Sequence, residues 1–458
     1  MGCSETSPST RGNATARSPG IAPGLGDVDV IAIARDIAAQ GMDPRVTRHM
    51  PAFDAPFFQA GLAGYSDAAM RLIARQHGCP MCVTEALLDR TLLGGGRGFA
   101  KADLGDIAEN VPGGDHDHPI CGQIMGSTPD EMAIAALKMI EQGQRAAADY
   151  RELAYADKPE LMSDAATEHL RLPGNIQVPK LNFDVQKLVD TAQHGTAKAE
   201  CHELSHGQSF DAIDLNFACP VKKVKNKARG GHWLVEPEGA IDIIRAVREA
   251  LPDEVPLTLK LRRSYDDTPE MTRNFARIVD AATEIGCAWI TVHGRSVVQR
   301  YVGPSRWDLL RDIVRAHPDI PIFGSGDIWT AADIFRMLHY TGASAVSVAR
   351  GCIGNPWIFR QAREMMAGNE PSKPTLAEQR AVLEEHFALA LATNHAYRDT
   401  QKITGMQMRK FGIRFAEHHP DADVVRRAFI GVTSLDDWQR VLDEHYVSGC
   451  DSSVNQAV

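Results

Sequence analysis

Pro256-Leu257-Thr258-Leu259-Lys260-Leu261-Arg262 reads as one short strand, and its surroundings decide the fold. A helical pattern follows over about 269–285, then a strand at 288–293, a helix at 306–316, a strand at 320–324, a helix at 331–340 and a strand at 345–349. Strands alternating with helices imply a parallel sheet, because each helix carries the chain back to the start of the next strand. The alternation continues toward the N-terminus. A strand at 57–61 precedes a helix from Asp67 to about His77, and a strand at 81–85 precedes a loose Gly-rich stretch. A strand at 120–125 precedes a helix opening at Thr128-Pro129-Asp130-Glu131, where Thr128 suits an N-cap, and a strand at 212–216 is followed by a helix at 237–250. Eight such units predict closure into a (β/α)₈ TIM barrel, where a doubly wound open sheet would not need them.

The 458 residues exceed the roughly 250 of a minimal barrel. The expected organisation is a leader over 1–50, largely disordered apart from a short helix, and a catalytic barrel over 51–358 with an insertion at about 145–208. A small all-α domain over 359–447 and a tail over 448–458 complete it. The insertion joins a helix to the next strand, which places it on the face opposite the strand ends that carry catalysis. Three helices are expected in the C-terminal domain, over 377–393, 400–418 and 434–446.

Composition narrows the class. Hydrophobic residues at 44% and charged residues at 24% are ordinary for a globular chain with a sizeable core. No apolar run reaches 18 residues, so no membrane span is expected. The first 27 residues are rich in Ser, Thr, Gly, Pro and Ala and lack the apolar core of a secretory signal. Met1-Gly2-Cys3-Ser4-Glu5-Thr6 fits a short myristoylation pattern, but a disordered leader is the reading taken. Nine cysteines, an odd number, suit a reducing cytoplasm better than a disulfide framework. Cys201, His202 and His206 have no fourth partner, so no metal site is expected. Cys79-Pro80-Met81-Cys82 has redox-motif spacing, yet it falls between a helix and a strand on the far face and reads as core. A net charge of −10 does not advertise nucleic-acid binding, although it can hide a local basic face. Lys222, Lys223, Lys225, Lys227 and Arg229 form one such run, and Lys402, Arg409, Lys410 and Arg414 recur along one predicted helix.

Catalytic groups of a barrel sit at the C-terminal strand ends, where this chain places Gln123, Asn216, Cys219, Lys260, His293, Arg295, Asp327 and Arg350. Asp214-Leu215-Asn216-Phe217-Ala218-Cys219-Pro220 ends a strand and holds a cysteine against a proline, followed at once by the cationic run. A thiol there can serve as a general acid. Lys260 would point into the barrel mouth and needs an anionic partner. Gly324-Ser325-Gly326-Asp327 and Ala349-Arg350-Gly351 follow the last two strands, where barrels commonly bind phosphate through backbone N–H groups.

These motifs, in this order over roughly 55–447, resemble the tRNA-dihydrouridine synthases. Ala60-Gly61-Leu62-Ala63-Gly64-Tyr65-Ser66-Asp67 looks like that family's flavin-side loop, with Gly61-Leu62 where Pro-Met is usual. Thr84-Glu85, Gln123, Asn216-Phe217-Ala218-Cys219-Pro220, Lys260 and His293-Gly294-Arg295 followed by Tyr301, Gly303 and Trp307 match further motifs. Ser325 stands for a usual Asn and Ala349 for a usual Gly; Gly354-Asn355-Pro356-Trp357 and Arg409-Lys410 match as well. The resemblance implies an FMN-containing barrel in the cytoplasm that reduces specific uridines of tRNA to dihydrouridine. NADPH or NADH would be the reductant, with hydride to C6 and a proton from Cys219 to C5. It implies FMN contacts at Gly61, Leu62, Ala63, Gln123, Asn216, Lys260, His293, Ser325, Gly326, Asp327, Ala349 and Arg350. It implies RNA contacts at Arg295 and the two basic clusters, no membrane, and no obligate protein partner. The rival readings are an FMN oxidoreductase of a free pyrimidine, similar to dihydroorotate or dihydropyrimidine dehydrogenases, and a tRNA-binding protein that has lost its flavin.

Overall fold

The computed structural model describes residues 28–89, 92, 115–137, 139–140, 210–220, 230–393 and 399–447. The first 27 residues, the 145–208 insertion, the 222–229 cationic run and the 448–458 tail lie outside the described residues. Among the described residues nine strands form one parallel sheet: β1 (Phe57–Gln59), β2 (Cys82–Val83), β3 (Leu87–Leu88), β4 (Ile120–Met125), β5 (Ala212–Phe217), β6 (Leu257–Arg262), β7 (Trp289–His293), β8 (Ile322–Ser325) and β9 (Ala345–Val348). β1 pairs with both β9 and β2, and β2 pairs with β4, so eight strands close a ring. The expected strand at 81–85 is in fact two pieces, β2 and β3, both laid along β4. The break has a visible cause: the Thr84 hydroxyl accepts the Gln123 N–H at 2.9 Å, in place of a ladder carbonyl.

Side chains alternate between the two faces of each strand, and the cores follow that period. Ile213, Leu215, Phe217, Leu257, Leu259 and Leu261 turn outward under the helices and join the larger core. Cys121, Ala212, Trp289, Phe323 and Phe58 turn inward and fill the lower barrel. The helices over them start where the sequence supplies caps. Thr268 accepts from the Met271 N–H with Pro269 in the first turn, and Thr330 and Asp333 form a reciprocal capping box.

Part of the expected leader is folded. The helix Val30–Gln40 packs on the helices Ala331–Thr341 and Trp357–Met366. Beyond it, Val46, Met50 and Phe53 plug the base of the barrel, the Phe53 ring centroid lying 6.0 Å from those of Phe58 and Phe323. Apolar residues at 46, 50 and 53 are buried because the barrel's lower opening would otherwise expose its apolar lining.

The C-terminal helices are Leu376–Thr393, Thr400–Phe415 continued by a 3₁₀ turn at Ala416–His418, Ala422–Ile430 and Leu435–His445. The third was not expected; its nine residues are short for a period to register. Phe387, Phe429 and Trp438 form the centre of this group. It docks on the barrel through Leu376–Thr393 against Ala68–Gln76, and through Trp357 against Phe415 and His418. Cys79 and Cys82 are buried on the outer side of the barrel, with sulfurs 3.8 Å apart. Among the described residues no helix is long and apolar enough to cross a membrane, and no three His, Cys, Asp or Glu side chains are grouped to hold a metal.

Candidate active site

Along the barrel axis the inward side chains change from apolar to polar. Above Trp289 and Phe58 a cavity is lined by Gly61, Gln123, Asp214, Thr258, Lys260 and Ser347. Register sets this: Gln123 lies beside Asp214, and Asp214 beside Thr258, while one step higher Asn216 lies beside Lys260. A chain of hydrogen bonds runs up through these groups. Thr258 Oγ1 donates to Asp214 Oδ1 at 2.7 Å, and Gln123 Nε2 donates to Asp214 Oδ2 at 2.7 Å. Asn216 Nδ2 donates to Gln123 Oε1 at 2.7 Å, and Asn216 Oδ1 accepts the N–H groups of Ala218 and Cys219 at 3.0 and 3.2 Å.

The loop carrying Cys219 is held from other sides as well. Arg262 Nε donates to the Ala218 carbonyl at 2.9 Å, and the Gly231 N–H donates to the Cys219 carbonyl at 3.0 Å. The N–H and carbonyl groups of Ala218 and Cys219 therefore each have a partner, while Cys219 itself is half-buried at the mouth. Position 231 suits glycine, since a Cβ there would stand 2.8 Å from Val297 and 3.2 Å from the Cys219 carbonyl.

The electrostatics follow from crowding cations over one carboxylate. Burial pushes the Lys260 ammonium below its usual range, with the Asp214 carboxylate opposing that shift. Burial pushes Asp214 up, and its hydrogen bonds from Thr258 and Gln123 oppose the rise. His293 is held well below the usual imidazole range by burial and by the cations Arg262, Lys260, Arg295 and Arg350. The Arg295 N–H donates to His293 Nδ1 at 3.1 Å. A neutral ring accepting there carries its proton on Nε2 and offers a donor to a ligand.

The two expected phosphate loops are pinned and tight. Trp307 Nε1 donates to the Gly326 carbonyl at 3.0 Å. Gly326 has φ +113°, where an added Cβ would meet Ser305 Oγ at 2.4 Å, and a Cβ at Gly351 would meet the Ile328 carbonyl at 2.3 Å. Across the mouth, a Cβ at Gly61 would come within 2.3 Å of the Thr84 carbonyl. Buried Ser325 Oγ, Ser347 Oγ and Arg295 Nη1 have no hydrogen-bond partner among the described residues. Glycine-lined approaches, unmatched buried polar atoms, a neutral imidazole donor and a lysine fit a flat, partly anionic, phosphorylated group such as a flavin mononucleotide.

The expected residues separate by location. Gly61, Gln123, Asn216, Cys219, Lys260 and His293 gather at the barrel mouth, with Ser325, Gly326, Ala349 and Arg350 at the neighbouring strand ends. Leu62 and Ala63 lie in the adjoining loop, where Ser66 Oγ donates to the Leu62 carbonyl at 3.1 Å. Gln123 is engaged at both ends of its amide by protein partners. Arg295, expected to face RNA, is buried instead: its guanidinium, 4% exposed, pairs with Asp327 at 2.8 Å and donates to the Gly303 carbonyl. Asp327 is correspondingly occupied by Arg295, Arg350 and the Ser305 N–H. Lys410, also expected on RNA, donates to the Gly64 carbonyl and lies 5.1 Å from the ring centroids of both Tyr65 and Phe411. Lys402 is exposed, whereas Arg409 and Arg414 are half-buried, with Arg414 beside Glu417. Lys222, Lys223, Lys225, Lys227 and Arg229 are outside the described residues.

Four residues at this site were not singled out from the sequence: Asp214, Thr258, Arg262 and Tyr301 in its contact role. Tyr301 is 58% exposed, and the guanidiniums of Arg262 and Arg350 lie 5.6 and 5.4 Å from its ring centroid. Arg350 also covers Trp329 at 4.6 Å. An acidic residue inside the apolar run 212–217 was the one available signal for Asp214.

Comparison with known proteins accords with this geometry. The family model described as Dihydrouridine synthase (Dus) matches residues 185–448. A probable tRNA-dihydrouridine synthase of Rickettsia conorii is 34% identical over 194 residues, 42% of this chain and 57% of that one. One of Mycobacterium tuberculosis is 31% identical over 239 residues, 51% of this chain and 58% of that one. One of Rhizobium leguminosarum bv. phaseoli is 31% identical over 255 residues, 55% of this chain and 75% of that one. The chain thus spans less than two thirds of the first two relatives' lengths and three quarters of the third's.

Proposed function

The chain belongs to the dihydrouridine synthase family, and from that premise we propose that it is an FMN-dependent enzyme reducing uridines of tRNA to 5,6-dihydrouridine with NADPH or NADH as reductant. The observation that carries this reading is the setting of Cys219: a half-buried thiol on a loop held by four hydrogen bonds, beside a cavity lined in part by Lys260, with a neutral histidine at a neighbouring strand end. Bound in that mouth, FMN would supply the hydride for C6 of the uracil ring.

The protein's own groups divide the remaining work. Gly61, Leu62 and Ala63 would line one edge of the flavin, and Lys260 and the His293 Nε2–H would face its polar ring atoms. The Gly324–Asp327 and Ala349–Gly351 backbones would take the phosphate. Cys219 would give its proton to C5 as C6 accepts hydride, so the base gains two hydrogens and the thiolate is left to recover a proton from water. Fixing the thiol loop matters because proton transfer needs donor and acceptor within hydrogen-bond reach.

A tRNA base reaches such a site only after leaving its stack. Tyr301, exposed and flanked by two guanidiniums, offers a face on which a displaced base can stack. The cationic run beginning three residues after Cys219 and the exposed Lys402, Arg426 and Arg427 of the helical domain would contact phosphates. That domain, docked beside the 61–66 loop, favours a polymeric substrate over a free pyrimidine. The test is direct. Purified protein should be yellow, and tRNA from a strain lacking the gene should lose dihydrouridine at particular positions; a full complement of dihydrouridine in that strain rejects the proposal.

A further inference from the structure

The hydrogen-bond chain beneath Cys219 has a direction, and the direction is fixed at both ends. At the top, two backbone N–H groups require an acceptor, so Asn216 must present Oδ1 to Ala218 and Cys219. Its amide nitrogen then faces Gln123, which must answer with Oε1, and the Gln123 amide nitrogen is left pointing down. At the bottom Asp214 receives it on Oδ2 and takes the Thr258 hydroxyl on Oδ1. A carboxylate accepts only, whereas an amide in its place can donate and would allow the whole chain to reverse. Reversal would aim an Asn216 N–H₂ at two backbone N–H donors and release the Cys219 loop.

We propose that Asp214, which lies below the thiol and is separated from it by two side chains, is a positioning residue: it polarises the Gln123–Asn216 relay and so holds the backbone of Cys219 in its working geometry. The inference rests on the reading of Cys219 as the proton donor. Gln123 is therefore a link in the support of the acid as well as a candidate cofactor contact. Among the described residues the side-chain hydrogen-bond path from Asp214 to the Cys219 backbone runs through Gln123 and Asn216, and the other groups beside Asp214 include the Thr258 hydroxyl and the charge of Lys260.

The chain can be rebuilt with the charge moved one link. In Asp214→Asn/Gln123→Glu, Asn at 214 donates to Glu at 123, whose second oxygen accepts from Asn216 Nδ2, and Asn216 again presents Oδ1 to Cys219. The experiment measures three properties of the full-length protein: flavin bound per chain, steady-state reduction of tRNA uridine, and the rate at which iodoacetamide alkylates Cys219, followed by mass spectrometry of its peptide. Asp214→Asn should keep its flavin and lose kcat about tenfold or more, with KM for tRNA nearly unchanged and a changed alkylation rate. The double variant should return both kcat and alkylation to within about threefold of the parent. A single variant that behaves as the parent, or a double variant no better than the single, overturns the proposal. If Asp214→Asn cannot be purified folded, the double variant decides alone: recovered folding with activity supports the relay, and equal instability overturns it. If instead Cys219→Ala reduces uridine as well as the parent, the functional reading fails, and the alkylation measurement still judges the relay.

Discussion

Replacing Asp327 by asparagine should destabilise the protein and loosen the Gly324–Asp327 and Ala349–Gly351 loops together. Four hydrogen bonds converge on this carboxylate: Arg295 Nη2 reaches both oxygens at 2.8 Å, the Ser305 N–H donates at 2.7 Å, and Arg350 Nη2 donates at 3.4 Å. The Arg295 and Asp327 side chains are 4% and 8% exposed, so water can replace little of what is lost. Removing one member of a buried pair leaves the other charge uncompensated and costs about 3–5 kcal/mol. Asparagine keeps the shape and one acceptor, which places Asp327→Asn near 3 kcal/mol at the lower end of that range. Asp327 also sits at φ +58°, a conformation asparagine tolerates, so backbone strain should add little. The assay is urea denaturation of the flavin-free protein, with Arg295→Met and the double variant completing a cycle. The double variant should be more stable than either single, because it leaves no orphaned charge. Flavin titration should show weaker binding in Asp327→Asn. Single variants that each cost less than about 1 kcal/mol and simply add would refute the reasoning.

Other consequences are as specific. Lys410→Met should loosen the 61–66 loop and weaken flavin binding, yet leave the salt dependence of tRNA binding unchanged, because its ammonium is engaged by Gly64 and two rings; exposed Lys402→Ala should instead reduce the salt slope by about one. His386 is buried with neither ring nitrogen bonded among the described residues, and burial drops it to about 3. Its folded value lies below the unfolded 6.5, so the unfolded chain binds the extra proton and stability falls as pH drops from about 6.5 toward 3. This one residue should cost about 2 kcal/mol between pH 7.5 and 5. His386→Leu should remove that share of the acid sensitivity in denaturation curves at the two pH values. Gly61→Ala places a Cβ 2.3 Å from a backbone carbonyl, and the forced shift should cost about 1–3 kcal/mol and lower flavin occupancy, read from absorbance per chain.

The barrel was legible because its signal is repetition: eight strand runs recur, most followed by a helical period, and β4 through β9 fall within a few residues of where the apolar runs place them. Legibility failed where local pattern and tertiary need diverge. The 81–85 run reads as one strand, but Thr84 gives its hydroxyl to the ladder and splits it. Residues 28–50 read as leader although they are rich in apolar residues, because Val46, Met50 and the following Phe53 find burial only once a barrel base exists to receive them. At the site, strand-end position correctly brought Gln123, Asn216, Cys219, Lys260 and His293 to one mouth. It could not tell a cation facing solvent from one spent internally, so Arg295 and Lys410 were read as RNA contacts although their partners lie within the protein. Asp214 escaped notice because its role depends on strand register, which sets it between Gln123 and Thr258.

One reconstitution bears most directly on the central claim. Unmodified tRNA is incubated with FMN, NADPH and either the parent protein or Cys219→Ala, then digested to nucleosides and analysed by mass spectrometry. Dihydrouridine should accumulate with the parent, and Cys219→Ala, though still yellow, should leave uridine unconverted. Equal conversion by both proteins, or none by a flavin-loaded parent on any tRNA, would contradict the account.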